Sequence, residues 1–539
     1  MLVREQNSIR KSWKSNKITI GLIYPNTYRV ASTSLGVQLL YFLFNSWEDF
    51  ICERIFKPIN PRITPYSLES QKPLREFDIL AISCQFEFDY IQSIELLLKA
   101  GINPDVRMRT EDDPLVLLGG PASTANPFPV LFFPDCFFLG DLETVSDELK
   151  SALEETSKNK KLEALSLVQG IMAYNYHYTQ KGDWIGNRIS IPKVKSFSDT
   201  FYPLKQIIPE NVKGTKNEPI LGKAYYLETS RGCSQRCNFC FVGNCRFPRT
   251  DRTFNELIKI VDQACELNDF DKFVIYASSM GENQRIGELI EYIIAKGYEV
   301  SLPSLRADFL TEDLLRSLKS GKQKTLTLAP ETGSEELRFA INKRMSNNQF
   351  FTTINNAWKV GFRKLKLYMI YGFPCEGEET DKENIEFLRK IRKDYFPKGR
   401  ISVSLNQMVT KSQTPFQFAP MMDIKSSKAV QKWYRHNIYK MKNIILSTSA
   451  PEWGVIQRIL SLRDQRYFDT IIKIAKNRNT VGNWKKILKE KNKSLEDEVQ
   501  WYYNINDPLP WDPLHSVLEK KALIQAYKKY TKIQNCAKY

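Results

Sequence analysis

Three cysteines stand at Cys233-x3-Cys237-x2-Cys240, inside the stretch Glu228-Thr-Ser-Arg-Gly-Cys233-Ser-Gln-Arg-Cys237-Asn-Phe-Cys240. Thiolates at that spacing, on one tight loop, can each take one iron of a [4Fe–4S] cluster. The fourth iron then has no protein ligand and stays open to a small molecule. Cys245 follows closely, so four local thiolates could instead close a zinc site or an electron-transfer cluster. Zinc sites ordinarily pair two short knuckles across a longer spacer. This chain packs three cysteines into eight residues with no distant second knuckle. The spacing favours the open cluster, with the closed site as its alternative.

The elements that must position this loop come from a chain of 539 residues, long enough for two or three domains. The first 155 residues alternate strands and helices. Ile18 to Tyr24 is an apolar run stopped by Pro25-Asn26, and Ser34 to Phe44 reads as a helix. Phe77 to Ser83 is a strand followed by a helix over about Tyr90 to Lys99. Leu115 to Leu118 and Cys136 to Leu139 are short buried strands ending in Gly119-Gly120-Pro121 and Gly140-Asp141. Near-continuous apolar strands alternating with helices predict a Rossmann-like, doubly wound parallel sheet, with ligands at the carboxyl ends of its strands.

Residues 156–220 form a mixed connecting region, and the cysteines follow directly on a strand, Ala224 to Glu228. βα units then recur. Strands at Phe273 to Ala277, Glu299 to Leu302, Thr325 to Leu328, Lys364 to Ile370 and Ile401 to Leu405 alternate with helices at Ile286 to Ala295, Glu312 to Leu318, Ser334 to Ile341 and Thr380 to Ile391. The fold class is therefore α/β. A Rossmann-like sheet (1–155) leads to a partial (β/α)6 TIM-type barrel over 221–423, then a mostly helical, basic module over 424–539.

The ten cysteines give no disulfide framework at this length. Met1 to Asn16 is polar and charged, unlike a signal peptide, and no apolar run reaches membrane length. A reducing cytoplasm is the expected location. The formal charge is +17, and Met421 to Tyr539 holds 23 Lys and Arg against 11 Asp and Glu. Such a module can bind RNA or another polyanion through phosphates, or can be a solvated Lys-rich surface. The three histidines, His177, His436 and His515, lie in no nucleophile context.

Further motifs run along nearly the whole chain: Pro25-Asn-Thr-Tyr-Arg29, Tyr66-Ser-Leu-Glu-Ser70, Leu118-Gly-Gly-Pro121, Pro303-Ser-Leu-Arg306, Leu328-Ala-Pro-Glu-Thr-Gly333, Lys366-Leu-Tyr368, Gly372-Phe-Pro374, Thr414-Pro-Phe-Gln417 and Leu509-Pro-Trp-Asp512. With the cysteine loop, this order resembles the radical S-adenosylmethionine proteins that carry an amino-terminal cobalamin-binding-like domain. The resemblance implies that S-adenosylmethionine chelates the open iron, and that an electron from the cluster cleaves it to a 5′-deoxyadenosyl radical. It also implies an electron donor of flavodoxin or ferredoxin type. Cys233, Cys237 and Cys240 are then the metal ligands.

By the same resemblance, Phe239 supports the adenine, and Gly372 opens a turn facing it. Met280, Gly281 and Glu282 partly match a Gly-Gly-Glu motif that meets the ammonium of S-adenosylmethionine. Arg306 holds its carboxylate, and Glu331 and Ser334 reach its ribose and amino acid portion. The plainer readings are loop packing for Phe239, a turn for Met280 to Glu282, an ion pair for Arg306 and a helix start for Ser334. Cys245 and Cys375, near strand mouths, are candidate catalytic thiols or buried apolar residues. Two features depart from the pattern. The Asp-x-His-x-x-Gly motif of base-displaced cobalamin is missing, and Cys536 stands alone where relatives carry a Cys-rich tail. Cobalamin is thus possible only without a histidine ligand. The expected activity is radical modification of a substrate, RNA or a ribonucleoprotein foremost. The alternatives are cobalamin-dependent methyl transfer to a small molecule or peptide, and a non-catalytic RNA-binding protein with a structural cluster.

Overall fold

The computed structural model describes residues 3–536 except 15, 199, 280, 281, 283, 516 and 517. Its amino-terminal sheet has six strands in the order Phe50–Phe56, Ile18–Tyr24, Ile79–Ser83, Leu115–Gly119, Cys136–Phe138, Ile171–Ala173. The first five run parallel and the last antiparallel. Chain order therefore reverses between Ile18–Tyr24 and Ile79–Ser83, and a crevice opens at such a switch point. One face packs under the helix Leu35–Ser46 through Ile20, Leu22, Leu39 and Phe44. The other packs against the helix Asp89–Lys99 through Ile23, Leu80 and Ile82. Each of these apolar side chains contributes about 2 kcal/mol by leaving water.

Sequence reading did not find Phe50–Phe56, because Glu53 and Arg54 interrupt its apolar pattern. Both are buried. Arg54 bridges Glu5 at 2.5 Å and Glu69 at 2.6 Å, so the charge enters the interior already paired. The edge strand Ile171–Ala173 comes from the connecting region, so this sheet continues past residue 155.

The second sheet system is the open barrel. Strands Ala224–Glu228, Lys272–Tyr276 and Glu299–Ser301 are parallel. So are Leu326–Glu331, Lys364–Tyr371, Arg400–Gln407 and Ile444–Thr448, and a parallel bridge from Leu305 to Leu328 joins the two sets. The six expected strands are present. A seventh, Ile444–Thr448, extends the sheet beyond residue 423, which corrects the expected boundary. The helix Ile424–Tyr439 and this strand add one more βα unit, because Tyr434 and Ile438 bury against the barrel core.

Beyond Pro451 the chain is mostly helical. Val455, Ile459, Phe468 and Ile471 share one apolar core with the amino-terminal sheet, so this region is a cover for that sheet rather than a separate body. Glu87, from the sheet side, accepts hydrogen bonds from Ser461 at 2.8 Å and Gln457 at 3.1 Å and pairs with Lys411.

Candidate active site

Strand Ala224–Glu228 delivers the cysteine loop to the carboxyl end of the barrel. Gly232 enters it with φ +82°, and a Cβ there would lie 2.1 Å from the Arg246 carbonyl oxygen, so no side chain fits. Buried Asn244 then ties the loop down, donating to the carbonyls of Cys237 at 2.9 Å and Cys240 at 2.8 Å. Asn342 donates to the carbonyl of Arg236 at 2.9 Å, and the Asn238 amide donates to that of Ile341 at 3.0 Å. The loop is thus fixed from its own helix and from the turn after Glu335–Ala340.

Burial pushes all three loop thiols upward, Cys237 to about 12. Such thiols become thiolates when a metal compensates the charge. Among the described residues, no three His, Cys, Asp or Glu side chains converge as a single ion would need. A cluster asks for less convergence, since each thiolate takes a different iron.

The other expected residues fall around this loop. Phe239 meets Phe373 edge-on at 6.1 Å, next to Gly372, whose φ of +77° makes the turn. Glu282 accepts from Gln235 at 2.6 Å and lies 3.4 Å from Arg249. Partial burial would raise its carboxyl, but Gln235, Ser279, Arg249 and Ser234 together hold it below the usual range. Met280 and Gly281 lie outside the described residues. Arg306 forms a two-pronged pair with Asp308 at 3.1 and 2.7 Å, so its fork is already engaged. Glu331 is buried, has φ +64° and pairs with Lys343. The Ser334 hydroxyl caps the helix Glu335–Ala340 by accepting from the Leu337 amide at 3.4 Å.

Of the two thiols considered as catalytic or as buried apolar residues, Cys245 takes the buried place and Cys375 takes neither. Cys245 is buried against Gln413, 3.4 Å from its side-chain oxygen, and burial pushes its thiol up. Cys375 is not free: it is disulfide-bonded to Cys536, with Cα atoms 5.8 Å apart. One pair therefore exists where no disulfide was expected, and Cys536 is not alone. The pairing joins residues 161 positions apart, which no local spacing reveals.

A cavity of about 630 Å³ lies between the two sheet systems. Its walls are the carboxyl ends of the amino-terminal strands (Tyr24, Ser83, Gly119, Gly140), the cysteine loop (Gly232, Phe241, Val242) and the barrel strand ends Glu228 and Tyr276. An apolar slot continues beneath it, between the sheet face (Leu22, Ala81, Leu117, Phe138) and the helix residues Leu39 and Phe44. Buried ion pairs close the seam at its rim. Arg231 lies 2.5 Å from Glu143, 2.9 Å from Glu228 and 3.3 Å from Asp141, which also pairs with Arg246. Burial would raise Asp141, but Arg246 and Arg231 more than offset it and hold it low. For Glu143 burial prevails over Arg231, and its carboxyl is pushed up.

Comparison with known proteins places two family models on the chain: radical SAM proteins, N-terminal, over residues 36–178, and the radical SAM superfamily over residues 227–388. The uncharacterized protein MJ0966 of Methanocaldococcus jannaschii is 30% identical over 453 residues, covering 84% of this chain and 90% of its own. The ribosomal protein uS12 methylthiotransferase RimO of Thermodesulfovibrio yellowstonii is 20% identical over 38% of this chain and about half of its own length, 49%. Among solved structures, the cobalamin-dependent S-adenosylmethionine radical enzyme OxsB, with aqua-cobalamin bound, matches at a TM-score of 0.52 and 15% identity. It covers 96% of this chain and 80% of its own. The radical S-adenosylmethionine methyltransferase TsrM of Kitasatospora setae, with cobalamin and a [4Fe–4S] cluster bound, matches at 0.50 and 13% identity, over 72% and 75%. Fold similarity thus extends over both sheet systems.

Proposed function

Because the chain belongs to the radical S-adenosylmethionine superfamily, whose enzymes use a [4Fe–4S] cluster and S-adenosylmethionine, we propose a narrower reading: a cobalamin-dependent member that transfers a methyl group to an unactivated carbon. Cys233, Cys237 and Cys240 hold the cluster. The residues around Glu282, Arg306 and Glu331 face S-adenosylmethionine, and the cavity between the two sheets takes the corrinoid. When bound, the cluster supplies an electron to S-adenosylmethionine and the corrinoid carries the methyl group.

The observation that carries this reading is the interdomain cavity of about 630 Å³ with its apolar slot. Ala81 on the sheet and Leu39 on the helix give the slot apolar walls. Gly36, at the helix start beside it, would place a Cβ no nearer than 3.8 Å to another atom, so the mouth is open there. None of His177, His436 and His515 lines the cavity, so the corrinoid would sit without a histidine on its metal. OxsB and TsrM, solved with cobalamin bound, share the fold and support the choice of ligand class.

RNA binding by the basic carboxyl-terminal region is not supported. Several cations of the carboxyl-terminal region are already engaged: Arg458 on the carbonyls of Glu498 and Trp501, Arg463 on Glu498, Lys473 on Glu490 and Lys520 on Asp512.

Anaerobic reconstitution with iron, sulfide and hydroxocobalamin, followed by gel filtration and optical spectra, tests the proposal. The expected result is a chain that keeps both cluster and corrinoid, while Ala81→Trp, which fills the slot, keeps the cluster and binds corrinoid at least tenfold more weakly. A wild-type chain with a full cluster and no retained corrinoid overturns it.

A further inference from the structure

We propose that the groove on the outer side of the cysteine loop is the docking surface for a small acidic electron-transfer protein, which replaces the electron that S-adenosylmethionine cleavage consumes. The inference rests on Cys233, Cys237 and Cys240 being the cluster ligands, and it names the partner that the same loop meets.

The loop borders two separate spaces. Gly232, Phe241 and Val242 line the interdomain cavity. Ser234, Gln235, Arg236, Asn238 and Asn244 line an open groove of about 910 Å³. Ser234 follows Cys233, and Arg236 and Asn238 flank Cys237, so the groove wall is one residue away from two of the three thiols. Each electron spent on cleavage has to be replaced by one from a donor, and transfer between proteins falls off steeply with distance. The cavity side belongs to the reaction's own ligands, which leaves the groove as the short route in.

The walls of the groove have the composition of a protein-binding patch. On the helix Lys520–Ile533, the residues Ala522, Ala526, Lys529 and Ile533 recur at the spacing of one helix face, and all four line the groove. The two alanines keep it open. Ile533 is 41% exposed, and Phe339, on the helix Glu335–Ala340 that lines the same groove, is 49% exposed. Large apolar residues left in water beside cations are what such interfaces bury.

The charge selects the partner. Arg236, Arg344 and Lys529 line the groove, and among the described residues none of the three is paired with a carboxylate. The acids of the wall are Glu335 and Glu336, and Glu335 is already engaged, accepting the Asn347 amide at 2.5 Å. The helix Lys520–Ile533 adds Lys521, Lys528 and Lys532 and holds no acidic residue. A surplus of unpaired cations around an apolar patch steers an acidic protein to the loop. Small, weak interfaces suit electron carriers, which must leave after each transfer.

The full-length chain, reconstituted anaerobically, is titrated by calorimetry with purified flavodoxin and, separately, with ferredoxin, at low and high salt. The wild-type chain is expected to bind at least one of them, more weakly as salt rises. The double variant Arg344→Glu with Lys529→Glu changes two exposed residues. It is expected to bind about tenfold more weakly and to lose most of the salt dependence. Phe339→Ala is expected to weaken binding while keeping that dependence. In rapid mixing, the charge-reversed variant should accept electrons from the reduced donor about tenfold more slowly, and from dithionite at the wild-type rate. Unchanged binding in that variant overturns the inference alone, as does a wild-type chain that binds neither donor. A groove taken by a second copy shows as a dimer that the variant dissolves, and it also overturns the inference. A wild-type chain that loads no [4Fe–4S] cluster overturns the cluster reading beneath it.

Discussion

The amino-terminal sheet and the far wall of the barrel are both parallel, yet they treat their two faces differently. Ile18–Tyr24 and Ile79–Ser83 are buried on both faces, as helices above and below require. In Lys364–Tyr371 and Arg400–Gln407 burial alternates residue by residue. Leu365, Leu367, Met369, Ile401, Val403 and Leu405 pack against the outer helices. Lys366 and Tyr368, and beside them Ser402 and Ser404 in register, are turned the other way and stay partly accessible. One sheet is covered on both faces, and its cavity opens at the strand ends and reaches under the helix Leu35–Ser46. The other is a shell with a usable concave face. In the first, ligand contacts come from the rim loops and from small or apolar strand residues such as Ala81, whereas in the second polar strand residues such as Lys366 and Ser402 are available.

This contrast can be broken at several points, from the largest expected effect downward. Cys237→Ala should abolish the cluster, seen as complete loss of its visible absorbance and of 5′-deoxyadenosine formation, while corrinoid retention in the neighbouring half persists. Gly120→Ala should unsettle the amino-terminal half. Its φ is +107°, and a Cβ would lie 2.3 Å from the Cys84 carbonyl oxygen, a cost of about 3 kcal/mol or more in urea unfolding.

Glu376 supplies a pH signature on the barrel side. Burial, with Asp381 adding to it, pushes its carboxyl up to about 8. The folded chain therefore keeps a proton that the unfolded chain releases near pH 4.3. Stability falls as pH rises from about 4.3 to 8 and levels off above. Glu376→Gln should remove a few kcal/mol of that slope, read as urea midpoints at pH 5 and 8. The smallest effect is expected at Gly287 in the helix Ile286–Ala295, where a Cβ meets nothing within 4 Å. Gly287→Ala should raise stability by about 0.5–1 kcal/mol in the same unfolding assay.

Much of this architecture could be read from local pattern. Ile18–Tyr24 and Ile286–Ala295 match the sequence reading residue for residue, because strong periodicity and clear stops coincide there. Phe50–Phe56 escaped because its charges are neutralised by Glu5 and Glu69, which are distant in sequence. Ile444–Thr448 escaped because it is short and only partly buried, and it is a strand through pairing with Arg400–Gln407. The cysteine spacing points to the loop, but nothing local marks Phe339, Arg344 or Lys529, which reach its outer side only through the fold. The Cys375–Cys536 pair was hidden for the same reason.

The helix Lys520–Ile533 returns to the catalytic end of the barrel. Tyr530 donates to the Pro374 carbonyl and stacks edge-on with Phe416 at 4.7 Å. Leu523, Ala526 and Lys529 face Gln235 and Arg236 of the cysteine loop across an open groove. During vectorial synthesis this helix leaves the ribosome long after the loop it overlooks. Until then Gln235, Arg236 and Asn244, which line the same groove, lack the flank that this helix supplies. The last helix to be made therefore completes the wall beside the first catalytic loop of the barrel.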